Sequence, residues 1–208
     1  MAGSESIGAV ILAAGYSSRF GRPKALLPIG GGTVLERIVG ACSDSGVDPI
    51  HLVIGHRGGM VSAAARHLPV HTVWNDRYPR GQTSSLQAGL RSLPEGLAAV
   101  VISPVDYPLV TSGVVTALID AFRSAPSREK VFIPSHAGRR GHPYLLRTSV
   151  LAEFHSLAPD TPGRTVVLGD PDRIRYVVVE NDGVLIDLDE PPDYLLARSR
   201  LRRSQSPF

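Results

Sequence analysis

Residues Ile7 to Ala13 are apolar or small without a break, and a glycine-bearing segment follows them at once. A run so short, with no polar alternation, reads as a strand covered on both faces of a parallel sheet. Downstream the period changes. Val34, Leu35, Ile38, Val39 and Cys42 recur at helical spacing, and Thr33 with Glu36 three residues on has the pattern of a capping box. Apolar runs at 50–54 and 70–74 read as strands on either side of a short helix over 60–68. A helix running through Leu86 and Leu90, a strand over 98–103, a helix over 112–123 and a strand over 130–134 continue the alternation. Strand-helix-strand order of this kind predicts an α/β chain with a parallel sheet and helices on both faces. Further on, 149–157 and 161–168 read as helices flanking Pro159. Segments 174–179 and 184–188 read as two strands about the turn Asn181-Asp182-Gly183, and 193–200 as a last helix.

In open parallel sheets ligands bind beyond the carboxyl ends of the strands, so the segments after each strand are where chemistry is expected. After the first strand come Gly15, Ser17, Ser18, Arg19 and Lys24, a glycine that permits close approach followed by hydroxyl and cationic donors, which suits a polyphosphate. The spacing of Gly15, Gly21 and Lys24 is not that of a Walker A loop, and Gly15, Gly21 and Gly30 lie too far apart for a dinucleotide fingerprint. After the third strand, Gly81-Gln82-Thr83-Ser84-Ser85 opens a helix. Capping explains one of these hydroxyl-bearing residues and leaves the others to be accounted for. After the fourth strand Asp106 stands between prolines, either as a turn former or as a magnesium ligand. The stretch SHAGRRGHPYLL is a mobile basic loop or a hairpin with a polar tip, and His142 within it is too isolated for a zinc site. Asp187 and Asp189, two apart on an expected strand, share one face and either cap the next helix or add a second metal carboxylate.

Size and composition narrow the field without choosing a chemistry. The 208 residues suit a single domain, with 43% hydrophobic and 20% charged residues as in soluble globular proteins. No apolar run is long enough to cross a bilayer and MAGSESIGAV lacks the basic start of a signal peptide, so a cytoplasmic location is expected. The formal charge of +3 is concentrated in Arg198, Arg200, Arg202 and Arg203, without which the body carries about −1. The division expected is therefore a flexible start at 1–6, one domain at 7–197 and a basic tail at 198–208, with neither nucleic acid nor membrane as partner. The lone Cys42 has no disulfide partner within the chain and is expected at or near the core.

The string LAAGYSSRFGRPK resembles the signature LAAG-x-S-x-R-x-G-x-x-K of the MobA-like nucleotidyltransferases, in particular the molybdenum cofactor cytidylyltransferase branch. GQTSSLQAGL, VDYPLV, GRRGHPYLL and DLDEPPDY are similar to four further elements of that family, in the family's order over about 7–197. Departures are Thr83 for a serine, Val105 and Tyr107 for glycine and glutamine, and Glu190 and Pro192 in the last motif; Arg164 resembles another family position through a less similar string. The resemblance implies a three-layer α/β/α Rossmann-like nucleotidyltransferase fold of the nucleotide-diphospho-sugar transferase kind, mostly parallel with one reversed strand. It implies that Leu12, Ala13, Ala14, Gly15, Ser17, Arg19, Lys24, Gly81, Gln82, Ser84 and Ser85 surround an NTP, and that Arg19, Lys24 and Asp106 are catalytic. Asp106 and Asp189 would hold Mg2+, while Arg140, Gly141, His142 and Pro143 would meet the acceptor.

The reaction so implied is attack by a phosphomonoester on the α-phosphorus of an NTP with release of pyrophosphate. A phosphate nucleophile is already ionised near neutrality, so charge neutralisation and alignment matter more than a strong base. Ala14, where guanylyltransferases of the superfamily carry a second glycine, together with GRRGHP favours CTP and a molybdopterin acceptor, with a molybdenum hydroxylase as the recipient of the product. Two other functions fit the same residues: nucleotidyl transfer to a sugar or alcohol phosphate, and non-catalytic carriage or insertion of the finished cofactor.

Overall fold

In the computed structural model, which describes residues 5–205, every residue of Ile7–Ala13 is buried and the run is the middle of the main sheet. In chain order the strands are β1 (Ile7–Ala13), β2 (Pro28–Ile29), β3 (Gly32–Thr33), β4 (Ile50–Ile54), β5 (His71–Trp74), β6 (Ala99–Pro104), β7 (Val131–His136), β8 (Arg139–Arg140), β9 (Tyr144–Arg147) and β10 (Ile174–Val178). The α-helices are α1 (Val34–Ser43), α2 (Gly58–Ala64), α3 (Gln82–Ser92), α4 (Ser112–Ser124), α5 (Leu151–His155), α6 (Arg164–Leu168) and α7 (Pro191–Gln205). The sheet runs β10-β7-β9-β6-β1-β4-β5, with β8 attached to β7 and a separate ribbon of β2 and β3. β1 is parallel to both β4 and β6, with Ala9 opposite Ile50 and Ile7 opposite Ala99. β9 is antiparallel to both its neighbours and is the reversed strand of the central path.

Alternation along β1 divides the interior in two. Ile7, Ala9, Ile11 and Ala13 pack with α1 and α4, through residues such as Leu35, Ile38, Leu118 and Phe122. Val10, Leu12 and the following Ala14 face the other way, onto Leu86 and Leu90 of α3 and Phe154 of α5. Successive side chains of a strand point to opposite faces, so one unbroken apolar run supplies both cores and makes three layers. The strand order reverses beside β1, because β1 joins β4 on one side and β6 on the other, and the crevice of such a sheet opens there.

Local signals carry most of α1. The Thr33 hydroxyl accepts from the Glu36 amide and the Glu36 carboxylate accepts from the Thr33 amide, so the expected capping box forms, an arrangement that contributes about 1 kcal/mol. Cys42 lies buried on the inner face of α1, and desolvation pushes its thiol up to about 12.

Three segments depart from expectation, and of the two settings left open for GRRGHP the hairpin is the one formed. The segment 184–188 is not a strand: Asn181 Oδ1 accepts from the Gly183 amide at 2.8 Å and opens a 3-10 turn over Asp182–Leu185. A Cβ at Gly183 would lie 2.6 Å from the Leu109 carbonyl oxygen, so the chain is pressed against the loop after β6 instead of returning along β10. The helix expected over 60–68 is α2 and a further 3-10 turn at Ala65–His67, and α6 is shorter than 161–168. GRRGHP is a hairpin rather than a loose loop, since Ala137 and Gly138 take left-handed φ values of 48° and 77° and return the chain as β8. The stretch expected as a basic tail is helical as far as described, because α7 continues to Gln205. Among the described residues no helix is long and apolar enough to cross a membrane.

α3 lies close against the sheet at Gly89, where a Cβ would overlap the Val10 side chain of β1 and come within 2.8 Å of Val53 on β4. Gly89→Val is expected to destabilise the fold by about 1–3 kcal/mol through overpacking. Urea unfolding should show a lower midpoint at an unchanged slope, whereas an unchanged midpoint would mean that α3 can lift from the sheet without cost.

Candidate functional site

The segments that follow β1, β4, β5 and β6 at their carboxyl ends meet above the sheet. The loop after β1 folds back on itself: Ser17 is left-handed at φ 50° and its hydroxyl accepts the Lys24 amide at 3.0 Å. It is tied to the loop after β4 by the His56 amide, which donates to the Ala14 carbonyl, and by the Arg57 guanidinium, which donates to the Gly21 carbonyl. Pro23 then starts a 3-10 turn, Lys24–Leu26, that aims the lysine inward.

Lys24 is where the distant motifs converge. Its Nζ lies 3.4 Å from Asp106 Oδ2 and 3.3 Å from Asp189 Oδ1. Two backbone bonds make this possible: the Val105 amide donates to the Leu12 carbonyl, and the Leu188 amide donates to the Asp106 carbonyl. Asp189 is fixed in turn by Asp193 at the start of α7, whose carboxylate accepts the amides of Asp189 and Glu190 at 3.1 and 2.7 Å. Arg19 stands further out, exposed, donating to the Asp189 carbonyl at 3.4 Å with Glu190 beside it.

The electrostatics are unfavourable for a structural role. Burial raises the Asp106 carboxyl above the ordinary carboxylate range, and Lys24 only partly offsets it. The Oδ1 atom of Asp106 is buried with no hydrogen-bond partner. Asp187 is also raised, by burial and then by Asp189, and its charge acts on Asp106. Such an acid group around an orphaned oxygen suits a cation, because an unpaired buried acceptor is costly and a hard divalent ion takes carboxylate oxygens. No three His, Cys, Asp or Glu side chains among the described residues are grouped closely enough to cage an ion alone. A magnesium-like ion, if held by Asp106 and Asp189, would have to draw its remaining ligands from water or from a ligand's phosphates, which is its usual habit.

Two cavities adjoin this centre and share Leu12, Gln82 and Pro104 as a common wall. The smaller, about 380 Å³, is bounded by Ala13, Ala14, Gly15, Ser17, Lys24, Gly81, Ser85 and Asp106. Tyr16 and Tyr78 close its outer side, their rings 5.3 Å apart with His56 beside them. Gly81 stands at φ 114°, where a side chain would be strained and its Cβ only 2.9 Å from the Pro159 carbonyl. The larger, about 590 Å³, contains Arg139, Arg140, Gly141, His142 and Arg164 over a floor of apolar side chains. Pro143 is buried behind them. His142 is stacked between Tyr107 at 4.6 Å and Tyr144 at 4.3 Å, and burial pushes its imidazole down to about 4, so the ring is neutral at physiological pH. At Gly141 a Cβ would overlap the Val184 carbonyl, which explains a glycine between Arg140 and His142.

Most of the residues picked from sequence are thus gathered around two connected cavities, with two differences. Ser84 turns away: its hydroxyl donates to the Arg77 and Gly81 carbonyls and accepts from Asn75, and it borders a separate cavity behind α3. Arg19 lies at the rim beside Asp189 and Glu190. Five further residues join the site: Arg57 as a tether, Asp187, already weighed with Asp189 as a metal carboxylate, as a third acid, Tyr107 and Tyr144 as the rings around His142, and Arg164, matched only through a less similar string, at the larger cavity. Asp187 was visible beside Asp189; the other four depend on how distant loops meet.

The family model described as MobA-like NTP transferase domain matches residues 9–174. The Escherichia coli molybdenum cofactor cytidylyltransferase is 30% identical over 94% of this chain and 97% of its own length. A bifunctional IPC transferase and DIPP synthase from Rubrobacter xylanophilus is 41% identical over 51% of this chain, which spans only 26% of that protein. Among solved structures, Rv0371c from Mycobacterium tuberculosis superposes with a TM-score of 0.80 at 27% identity, covering 94% of this chain and 98% of that one. The same protein has been crystallised as a manganese complex. The neighbouring structures are nucleotidyltransferases of the nucleotide-diphospho-sugar transferase fold, and the sheet described above is of that fold.

Because the raised Asp106 keeps its proton to higher pH than the unfolded chain does, its ionisation opposes folding. That part of the stability is present below the unfolded value of about 4, is lost as pH rises through the folded value, and stays lost above it. Asp106→Asn is therefore expected to melt with the wild type near pH 4 and above it at pH 7, in thermal scans over that range. A lower melting temperature for Asp106→Asn at pH 7 would make the carboxylate a structural group.

Proposed function

The chain belongs to the MobA-like NTP transferase family, and from that premise we propose that it transfers CMP from CTP to the terminal phosphate of molybdopterin, releasing pyrophosphate, with Mg2+ as its ion. The observation that carries the reading is Lys24 Nζ within 3.4 Å of both Asp106 and Asp189 at the mouth of a cavity walled by the LAAG backbone. Support for the acceptor comes from similarity to the Escherichia coli cytidylyltransferase along nearly the whole chain, and from the GRRGHP hairpin in the second cavity. A cytoplasmic site of action, and delivery of the product to a molybdenum hydroxylase, belong to the same reading.

In this mechanism the smaller cavity takes the nucleotide. Gly81, Gln82 and Ser85 border the nucleoside, Leu12 to Gly15 lend it backbone, and Lys24 with Arg19 grips the triphosphate. Ser17 acts indirectly, holding the loop by accepting the Lys24 amide. The larger cavity holds the acceptor, whose phosphate oxygen forms a bond to the α-phosphorus as the bond to the β-phosphate breaks and the electron pair leaves with pyrophosphate. The principal barrier is the meeting of two anions, which positioned cations lower most directly. A divalent ion on Asp106 and Asp189 supplies charge neutralisation at the α-phosphate when bound. Neutral His142, fixed between two rings, adds no charge of its own and orients the acceptor.

One observation favours a second reading, transfer to a sugar or alcohol phosphate: the relative of higher identity, 41% over half the chain, is the IPC transferase and DIPP synthase. Pyrophosphate release measured with each of the four NTPs, Mg2+ and reduced molybdopterin separates the cases. CTP should be the best donor and the product mass that of a molybdopterin cytosine dinucleotide. Turnover only with a sugar or alcohol phosphate would favour the second reading, and tight binding of the finished dinucleotide without any pyrophosphate would make the protein a carrier.

Lys24→Ala and Asp106→Asn should each lower turnover by about 10²–10³-fold with an unchanged circular dichroism spectrum, the usual effect of losing one charge-stabilising group. Near-normal pyrophosphate release from either variant would remove that residue from the mechanism.

A further inference from the structure

The cavity behind α3, about 440 Å³, shares no wall residue with the two already described. Ser84, Gln87, Ala88 and Arg91 recur at helical spacing and form one side of it, on a different face of α3 from the one that buries Leu86 and Leu90. Trp74, the last residue of β5, and Arg77 and Arg80 after it form another side.

Gln87 is the residue that points to a ligand. It is 6% exposed, and its Nε2 donates to the Phe154 and Leu157 carbonyls at 2.8 and 2.9 Å. Two acceptors on that side fix which end of the amide is nitrogen, so Oε1 takes the other side. No hydrogen-bond partner of Oε1 is found among the described residues, yet the atom is not sealed in, because the one side-chain oxygen there that is both sealed and unpaired is Asp106 Oδ1. Gln87 therefore offers the cavity a fixed acceptor for an N–H or O–H. Trp74 adds a flat apolar surface: its ring is 55% exposed but held against α2, where a Cβ at Gly58 would come within 2.8 Å of it. Arg77, Arg80 and Arg91 stand around the same space against the single carboxylate of Asp76, so its field is positive. Water satisfies exposed arginines, and they would say little without the ring and the buried acceptor among them.

We infer that this cavity is a second nucleotide site, taking a nucleoside monophosphate with its base on Trp74, an N–H or O–H of base or ribose on Gln87 Oε1, and its phosphate among the arginines. A bare phosphate leaves Trp74 and Gln87 unused, and an uncharged nucleoside leaves the arginines unused. Occupancy reaches the smaller cavity through Asn75. This side chain is 6% exposed, and its Nδ2 donates at 3.0 Å to Ser84 Oγ, which borders the cavity behind α3, and at 2.9 Å to Ser85 Oγ, which borders the smaller one. A ligand that moves Ser84 acts on a donor that also holds Ser85, so the filled site alters CTP binding; this linkage, unlike the site itself, rests on the reading of the smaller cavity as the place of the NTP.

Trp74 is the one tryptophan of the chain, so its fluorescence reports the site without a label. Titrated separately, at least one of AMP, GMP, CMP and UMP should change that emission saturably. The change should persist in Lys24→Ala, which alters the smaller cavity, and weaken about ten-fold or more in the Arg80→Ala/Arg91→Ala variant through loss of charge-assisted bonds. Inorganic phosphate and ribose 5-phosphate should bind about ten-fold more weakly, having no base to stack. A change absent with all four nucleotides, lost in Lys24→Ala but intact in the arginine variant, or matched by inorganic phosphate, would overturn the inference. For the linkage, the best-bound monophosphate should shift the KM for CTP about five-fold in the wild type and leave it constant in the arginine variant. An unchanged KM in the wild type, or an equal shift in both proteins, would overturn the linkage. If no acceptor is turned over at all, the proposed reaction fails, while the fluorescence titration still decides the site.

Discussion

A lysine ammonium lies between two carboxylates that the chain delivers from its middle and from near its C-terminal end, and the site is arranged around that contact. Lys24 comes from the loop after β1, Asp106 from the loop after β6, and Asp189 from the segment leading into α7. Asp106 is mostly buried, one of its oxygens has no partner, and Asp187 adds a further negative charge close by. Removing a carboxylate from water without full compensation is unfavourable, so the fold bears an electrostatic burden that a single lysine relieves only in part. Natural chains break rules of polar satisfaction mainly where function requires it. Here the breach lies where the strand order reverses, the position an open α/β sheet reserves for ligands.

The rest of the architecture holds that burden in place. β1 supplies alternate residues to two cores, which makes it rigid, and Leu12 at its end belongs to the walls of both cavities. Pro104, at the end of neighbouring β6, does the same. A reacting pair bound in the two cavities would meet across a partition formed by the ends of adjacent strands and Gln82 of α3, with the charged centre beside it. Holding both partners on sheet ends and not on long loops is what alignment of two anions demands.

Much of this was legible in the residues themselves. The unbroken apolar run of β1 and the Thr33–Glu36 capping box are local signals and have the structure expected of them, and the acids at 106 and 189 both lie beside Lys24. Where the reading went astray, tertiary structure decided. Val184 and Leu188 are fully buried, and their spacing fits a half-buried strand; the Asx turn at Asn181 and the close approach of Gly183 to Leu109 send the segment elsewhere. Ser84 and Ser85 are consecutive on a helix and point about 100° apart, so only one can face a given cavity. Ser85 borders the smaller cavity and Ser84 is consumed by backbone carbonyls. The ring stack around His142 has no signal at fixed spacing, because the segments that meet there lie far apart in the chain, and Arg164 is marked only by a less similar string.

If the two distant acids share one divalent ion beside Lys24, Mn2+ titrated in the presence of CTP and followed by electron paramagnetic resonance reports it directly. The account predicts one tightly held ion per chain, with affinity reduced at least ten-fold in Asp106→Asn and in Asp189→Asn alike. Equal affinity in the wild type and both variants would contradict it.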